Sequence, residues 1–309
     1  MTLTIHLVPH SHTDPGWLQT ADRYYGMEVK PILSGVIGAL EADGNFTFSW
    51  AETCFFARYY AELSVRRQAI VRALVASGRL EFAGGGWVQH DEALTSVGGI
   101  LESMTEGHAW LQSTFGVRPQ VGWQIDPFGH SAASAALMAR MGLRALVINR
   151  IHYRLKERWR SFRELEFVWK AGAPQLGGLG GTQGIHTHVL HTHYASPRGF
   201  DFESRRTPGE PPSLHADCLP HCMLMASLTA CAASLPQVEL EQKAREFIAF
   251  ATKRAQAYRT RHVMIPLGDD FRWKNALGAA SAWSRLAAWV NGHMQGAERH
   301  PGEPMRIAC

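Results

Sequence analysis

Residues 3–17 read Leu3-Thr4-Ile5-His6-Leu7-Val8-Pro9-His10-Ser11-His12-Thr13-Asp14-Pro15-Gly16-Trp17, a short apolar run of strand type that gives way to a polar segment. The same figure recurs twice: 121–125 leads into Asp126-Pro127-Phe128-Gly129-His130-Ser131, and 262–267 leads into Gly268-Asp269-Asp270-Phe271-Arg272. Further strand-like runs at 46–50, 80–83, 145–149, 166–170 and 185–190 alternate with helical patterns. The clearest helices are 52–76 and 238–259, where Leu240, Ala244, Phe247 and Ala251 keep the +4, +3, +4 spacing of one buried face. This rhythm predicts an α/β fold with a parallel sheet. Segment 195–217 and the tail 292–309 lack either period and read as loops. Segment 218–238 reads as a buried helix, and no internal repeat is found.

Composition narrows the class. Of 309 residues, 46% are hydrophobic and 19% charged, enough at this length to bury a large core and to exclude global disorder. The net charge of +4 comes from 25 Arg and 6 Lys scattered along the chain, not massed in a stripe, so no nucleic-acid partner is expected. Five cysteines without a C-x-x-C pair argue against a disulfide framework or a cysteine zinc cage. The start shows neither a basic region nor an apolar stretch of leader type, so no targeting segment is expected, and compartment stays open. The apolar centre at 223–235 falls short of the ~20 residues of a membrane span.

In parallel α/β folds the loops at the C-terminal ends of strands converge on one face, and the three polar motifs all stand there. His12 and Asp14 offer an imidazole and a carboxylate from one short loop, a pair suited to zinc; a solvated loop is the alternative. His10-Ser11-His12 also spells H-x-H, which with Asp126 fits a metal-dependent amidohydrolase or deacetylase. Asp126 leaves its strand abruptly, flanked by Trp123 and Phe128, and Ser131 is placed to cap the following helix. Two adjacent carboxylates, Asp269 and Asp270, are expected to raise at least one pKa, as a general acid requires, with a solvated turn as the alternative. Gly84-Gly85-Gly86 lacks the spacing of a phosphate loop and is expected to let backbone pass close to the substrate or metal loop. Asp91 and Glu92 are expected to orient His12. His186, His188, His191 and His193 read as strand-edge packing without a carboxylate, and Cys218, Cys222, His215 and His221 form a loose cluster.

Taken together, 10–17, 82–93, 123–131, 149–153 and 267–272 resemble glycoside hydrolase family 38, the class II α-mannosidases, in the family's order over residues 5 to about 275. The resemblance implies a seven-stranded β/α barrel with mostly parallel strands in a catalytic unit 1–291, followed by an irregular tail 292–309. It implies zinc held by His12, Asp14, Asp126 and a further histidine. Asp126 would double as the nucleophile of a covalent mannosyl-enzyme intermediate, and Asp270 would be the general acid/base with Asp269 beside it. A retaining reaction of this kind sets two carboxyl groups ~5 to 5.5 Å apart. Trp17 corresponds to the family's sugar-stacking aromatic, with Phe128 close by, Arg150 near the nucleophile and Tyr194 at a position that binds substrate hydroxyls. The substrate class implied is a mannose-containing oligosaccharide or glycoprotein glycan of N-glycan type.

Three departures stand beside the resemblance. The family's fourth zinc ligand lies in a histidine motif well downstream of the double aspartate, and only His293 and His300 follow Asp270, neither matching it. Family members continue past the barrel into further domains, so this chain reads as a truncated architecture. Ala195 follows Tyr194 where many members carry a polar or acidic residue. An inactive sugar-binding relative is therefore the alternative within the same ancestry.

Overall fold

The structure, a computed structural model, describes residues 2–170, 184–203, 237–294 and 305–308. Its strands are β1 (Leu3–Pro9), β2 (Phe48–Trp50), β3 (Leu80–Phe82), β4 (Val121–Gln124), β5 (Ala145–Ile148), β6 (Glu166–Trp169), β7 (Ile185–Val189), β8 (His262–Leu267) and β9 (Met305–Ala308). The helices are α1 (Ala21–Tyr24), which continues through a π-helical turn (Tyr25–Val29) into α2 (Lys30–Ala42), then α3 (Thr53–Ala61), α4 (Val65–Ala76), α5 (Val97–Phe115), α6 (Ala132–Arg140), α7 (Tyr153–Phe162), α8 (Gln237–Ala255) and α9 (Ala276–Met294). Among the described residues no helix is long and apolar enough to cross a membrane.

All eight runs read as strands are strands. β1 pairs in parallel with β8 from Thr4↔His262 to Pro9↔Leu267, and on its other side with β9. β2 pairs with β3, β4 with β5 and β5 with β7, all in parallel, whereas β6 runs antiparallel to β7. Among the described residues the pairing does not close into one seven-stranded sheet: it falls into three sheets in the orders β8-β1-β9, β2-β3 and β4-β5-β7-β6. Between sheets the contacts shrink to single links: a bridge His10↔Ser49, Gly84 N–H donating to the Val121 carbonyl at 2.7 Å, and Ser196 N–H donating to the Gly268 carbonyl at 2.8 Å. The physical reason is local. β2 and β3 have only three residues each, and Gly84 and Gly85 turn the chain away at φ of 70° and 74°.

Two hydrophobic layers flank these strands. Leu3, Ile5 and Leu7 alternate along β1 toward the larger core, where they meet helix residues such as Leu33, Ile37, Trp283 and Leu286. The opposite layer is smaller and gathers Val8, Ala51, Ala83, Trp123, Val147, Leu190 and Met264, one from each of β1, β2, β3, β4, β5, β7 and β8 or the residue just past it. Seven strands thus each lend a side chain to one interior cluster although their ladders are interrupted.

The helices follow their caps. Ser131 caps α6 by accepting from Ala133 N–H at 3.1 Å, as its place after Asp126 predicts, and α8 buries Leu240, Ala244, Phe247 and Ala251. The single helix expected at 52–76 is two, because Ser64 takes an extended conformation and caps a new start at Val65. The tail is not wholly irregular either: α9 runs to Met294, and Met305–Ala308 adds a parallel strand beside β1. The helix expected at 218–238 and most of the 195–217 loop lie outside the described residues.

Gly268 is where the end of β8 meets the end of β1, and a Cβ there would overlap the His10 carbonyl oxygen. Gly268→Ala is expected to destabilise the chain by about 2 kcal/mol, since the obstacle is backbone and not a movable side chain. Chemical denaturation of the variant against the parent checks this; an unchanged midpoint would contradict the close packing.

Candidate active site

Strand pairing builds the site. Past the last regular pairs of β1 and β8 the two chains stay together: His12 N–H donates to the Asp269 carbonyl at 3.2 Å, Phe271 N–H donates to the His12 carbonyl at 2.8 Å, and His12 and Asp270 become bridge partners. Asp126 arrives from the end of β4, Arg150 from beyond β5 and Tyr194 from beyond β7. The backbone turns at positive φ at Phe271 (51°) and Trp273 (81°), a cost carried where the carboxylate must be presented. Glu203 holds that turn by accepting from Trp273 N–H at 2.6 Å and Asn275 N–H at 3.0 Å.

His12, Asp14 and Asp126 bring one potential ligand atom each within 4.8 Å of one another. His12 Nε2 lies 3.2 Å from Asp14 Oδ1 and 3.5 Å from Asp126 Oδ2. This nitrogen is buried yet makes a well-aligned hydrogen bond to neither oxygen. A nitrogen facing two carboxylates in that way wants a positive charge between them, and either a proton or a metal cation supplies it. Burial alone would lower the His12 pKa, but Asp126 and Asp14, with Glu52 behind them, raise it well above the ordinary value. The N/O donor set suits zinc. Among the described residues no fourth such ligand joins the three; His293 is exposed near the end of α9, its Nδ1 bonded to the Trp289 carbonyl, and His300 lies outside the described residues.

Asp126 is held from two further sides. Arg150 Nε donates to its Oδ1 at 2.9 Å, with a second bond from the same guanidinium, and the Tyr194 hydroxyl reaches the same oxygen at 3.1 Å. Burial works to raise the Asp126 pKa, but the facing His12 imidazole and the bonded Arg150 guanidinium outweigh it and hold the carboxyl down at about 2. The Tyr194 hydroxyl also lies 2.8 Å from Asp270 Oδ1. Asp270 behaves oppositely: partial burial raises its pKa, Tyr194 and His12 oppose, and Asp269 and Asp14 reinforce. A hydroxyl has one hydrogen, so both contacts are satisfied together when Asp270 carries a proton and Asp126 does not. Asp269 Oδ1 accepts from Asp270 N–H at 3.0 Å, a local turn bond and not a contact with the metal group.

The aromatics expected at the site are at its edge. Trp17 is 62% exposed in the loop that carries His12 and Asp14. Phe128 is 83% exposed and lies under the Arg150 guanidinium, 4.9 Å from ring centroid to Cζ. Both leave a ring face open to a ligand.

Several expectations are corrected. His10 does not join the metal group: its Nε2 bonds the Tyr194 carbonyl at 2.9 Å, its ring packs on Trp123, and burial drives its pKa down to about 4. That removes the H-x-H reading. Asp91 and Glu92 do not orient His12. Asp91 accepts from Ala93 and Leu94 N–H, while Glu92 accepts from His130 Nδ1 (3.0 Å), Gln124 Nε2 (3.2 Å) and Ser131 N–H (2.7 Å), pinning the loop that carries Asp126. The residue beside His12 is Glu52, buried, accepting from Thr13 Oγ1 at 3.4 Å and raised by that burial to about 7. It ends β2 as the other motifs end their strands, a signal the sequence contains. The glycine triplet packs on α5 and β4: a Cβ on Gly85 would strike Pro119, and one on Gly107 would strike the Gly85 carbonyl. His188 does find a carboxylate, Glu166 at 2.9 Å on antiparallel β6. The Cys218, Cys222, His215 and His221 cluster lies outside the described residues.

The family model and the curated relatives agree on one family. The glycosyl hydrolases family 38 N-terminal domain matches residues 2–300. Relatives include alpha-mannosidase F of Dictyostelium discoideum (33% identical, covering 94% of this chain and 26% of that protein), alpha-mannosidase 2x of Mus musculus (34%, 88% and 23%) and lysosomal alpha-mannosidase of Bos taurus (36%, 89% and 26%). The crystal structure of an alpha-mannosidase from Enterococcus faecalis superposes with a TM-score of 0.66 at 17% identity, over 99% of this chain and 28% of that one, a likeness of fold. The chain spans about a quarter of the length of these relatives.

Glu92→Gln keeps the side-chain size but removes the charge that gathers His130 and Ser131. It is expected to cost about 1–3 kcal/mol at pH 7. Burial raises the Glu92 pKa but the bonds from His130 and Ser131 outweigh it, so the folded value is depressed. The charge therefore contributes stability above the unfolded glutamate pKa and loses it as pH falls through the lower folded value. The gap between parent and variant should narrow toward acid pH in denaturation curves; a gap that widens would reverse the assignment.

Proposed function

The chain belongs to glycosyl hydrolase family 38, and from that membership we propose that it is a zinc-dependent retaining α-mannosidase catalytic domain acting on mannose-containing glycans of N-glycan type. In this reading the seven strands around the inner cluster are the family's β/α barrel. The observation that carries the reaction is the single hydroxyl of Tyr194 spanning Asp126 and Asp270, which keeps their nearest oxygens within about 6 Å. That favours retention over inversion, which needs ~6.5 to 9.5 Å to admit a water between the carboxyl groups.

His12, Asp14 and Asp126 would hold the zinc ion, which when bound supplies a positive centre for vicinal hydroxyl oxygens of the sugar. The remaining chemistry belongs to the side chains. Asp126, kept ionised by Arg150 and His12, attacks the anomeric carbon; the glycosidic C–O bond breaks as Asp270 delivers its proton to the departing oxygen. Asp270, now ionised, takes a proton from water, whose oxygen bonds the anomeric carbon and displaces Asp126. Tyr194 and Arg150 fix the nucleophile's orientation, and Trp17 and Phe128 offer ring faces to the apolar side of a sugar.

Asp270→Asn is expected to abolish hydrolysis of mannosides with poor leaving groups while aryl mannosides with acidic leaving groups lose far less, zinc content being unchanged. Steady-state kinetics on both substrate types with metal analysis checks this. Equal loss on both would mean that Asp270 does not protonate the leaving group.

A further inference from the structure

The junction of α7, α8 and the segment after β7 collects positive charge away from the metal group. Lys156 and Arg160 stand one turn apart on α7 and share a face. Arg254 comes from the last turn of α8, and His191 and Thr192 follow β7. Lys156 Nζ donates to Asn149 Oδ1 at 3.0 Å and to the Thr192 carbonyl at 2.8 Å, and the Arg254 guanidinium donates to Thr192 Oγ1 at 3.1 Å. These acceptors are all neutral.

Among the described residues no carboxylate pairs with Lys156, Arg160 or Arg254, although Lys156 is only 7% and Arg254 only 5% exposed. Three nitrogens here, Arg160 Nε, Arg254 Nε and His191 Nδ1, are shielded from solvent without a hydrogen-bond partner. Burial first, with neighbouring cations adding to it, brings the pKa of His191 down to about 4, of Lys156 to about 8 and, against an opposing pull from Tyr258, of Arg254 to about 10. Buried charge of one sign with unmet donors is unfavourable unless an anion completes it.

We propose that this junction is a binding site for a tetrahedral oxyanion of the phosphate or sulfate type, held by Lys156, Arg160, Arg254 and His191. The chemistry is matched: two guanidinium forks and an ammonium present donors only, and an oxyanion presents acceptors on every side. Thr192 is exposed and gives the site its opening. Lys156 also ties Asn149, next to Arg150, to Thr192, two residues before Tyr194, so the anion would brace the two segments that reach Asp126. Binding itself does not depend on the reaction assigned to that aspartate.

The test is a titration of the full chain with sodium phosphate against sodium chloride at matched ionic strength, followed by melting temperature and calorimetry. Saturable binding of one phosphate per chain, absent with chloride, is expected. Lys156→Met and Arg254→Met should each weaken it by about tenfold or more. Arg160→Gln, at a partly exposed position that should leave the fold intact, should weaken it as well. A hexose 6-phosphate arm beside the neutral hexose separates the sources: tighter binding than inorganic phosphate supports an anion carried on a sugar, and equal binding supports the free ion. Phosphate indistinguishable from chloride, or saturable binding unchanged in Arg160→Gln and Arg254→Met, overturns the site.

Discussion

The parallel pairing of β1 with β8, carried three residues past the regular ends of both strands, is the constraint on which the site depends. It makes His12 and Asp270 bridge partners and so sets a metal-type ligand beside a carboxylate 258 positions away in the chain. Gly268 lets the two backbones come that close, and the turn at Phe271 and Trp273, locked by Glu203, presents Asp270 to Tyr194. Without that register His12 and Asp14 would still end a strand, but with no Asp270 carboxyl opposite.

Charge then divides the labour between two similar side chains. Asp126 is gripped by Arg150, Tyr194 and the imidazole of His12 and stays ionised; Asp270 is partly desolvated among other acids and holds a proton more readily than a free carboxyl. One hydroxyl between them suits that split, because its single hydrogen serves the ionised partner while the protonated one donates back. Environment, not residue type, separates the two carboxyl groups in the way the proposed nucleophile and acid require.

Much of this is legible in the sequence because it obeys local rules. Strand-like runs followed by polar motifs mark β1, β4 and β8 and their loops, and Ser131 announces α6 three residues ahead of its first turn's end. The parts that escape are those set by distant partners. Glu92 and His130 are 38 positions apart and Glu52 and Thr13 are 39 apart, so no spacing betrays either pair. The split at Ser64 was hidden by helix-favouring residues on both sides, and β9 forms in a segment without apolar period because β1 offers it a free backbone edge. The interrupted ladders follow from strands too short to carry them, although the inner cluster still takes a side chain from each of seven strands.

The central claim is that Asp126, rather than Asp14 or Asp270, attacks the sugar. A 5-fluoro mannosyl fluoride keeps the 2- and 3-hydroxyls and slows release of a glycosyl-enzyme ester, so incubation with the zinc-loaded chain followed by peptide mass spectrometry reads the nucleophile directly. The account predicts one added glycosyl group on the peptide containing Asp126, lost in Asp126→Asn. A label on Asp14 or Asp270, or mannoside hydrolysis with inversion and no label, would contradict it.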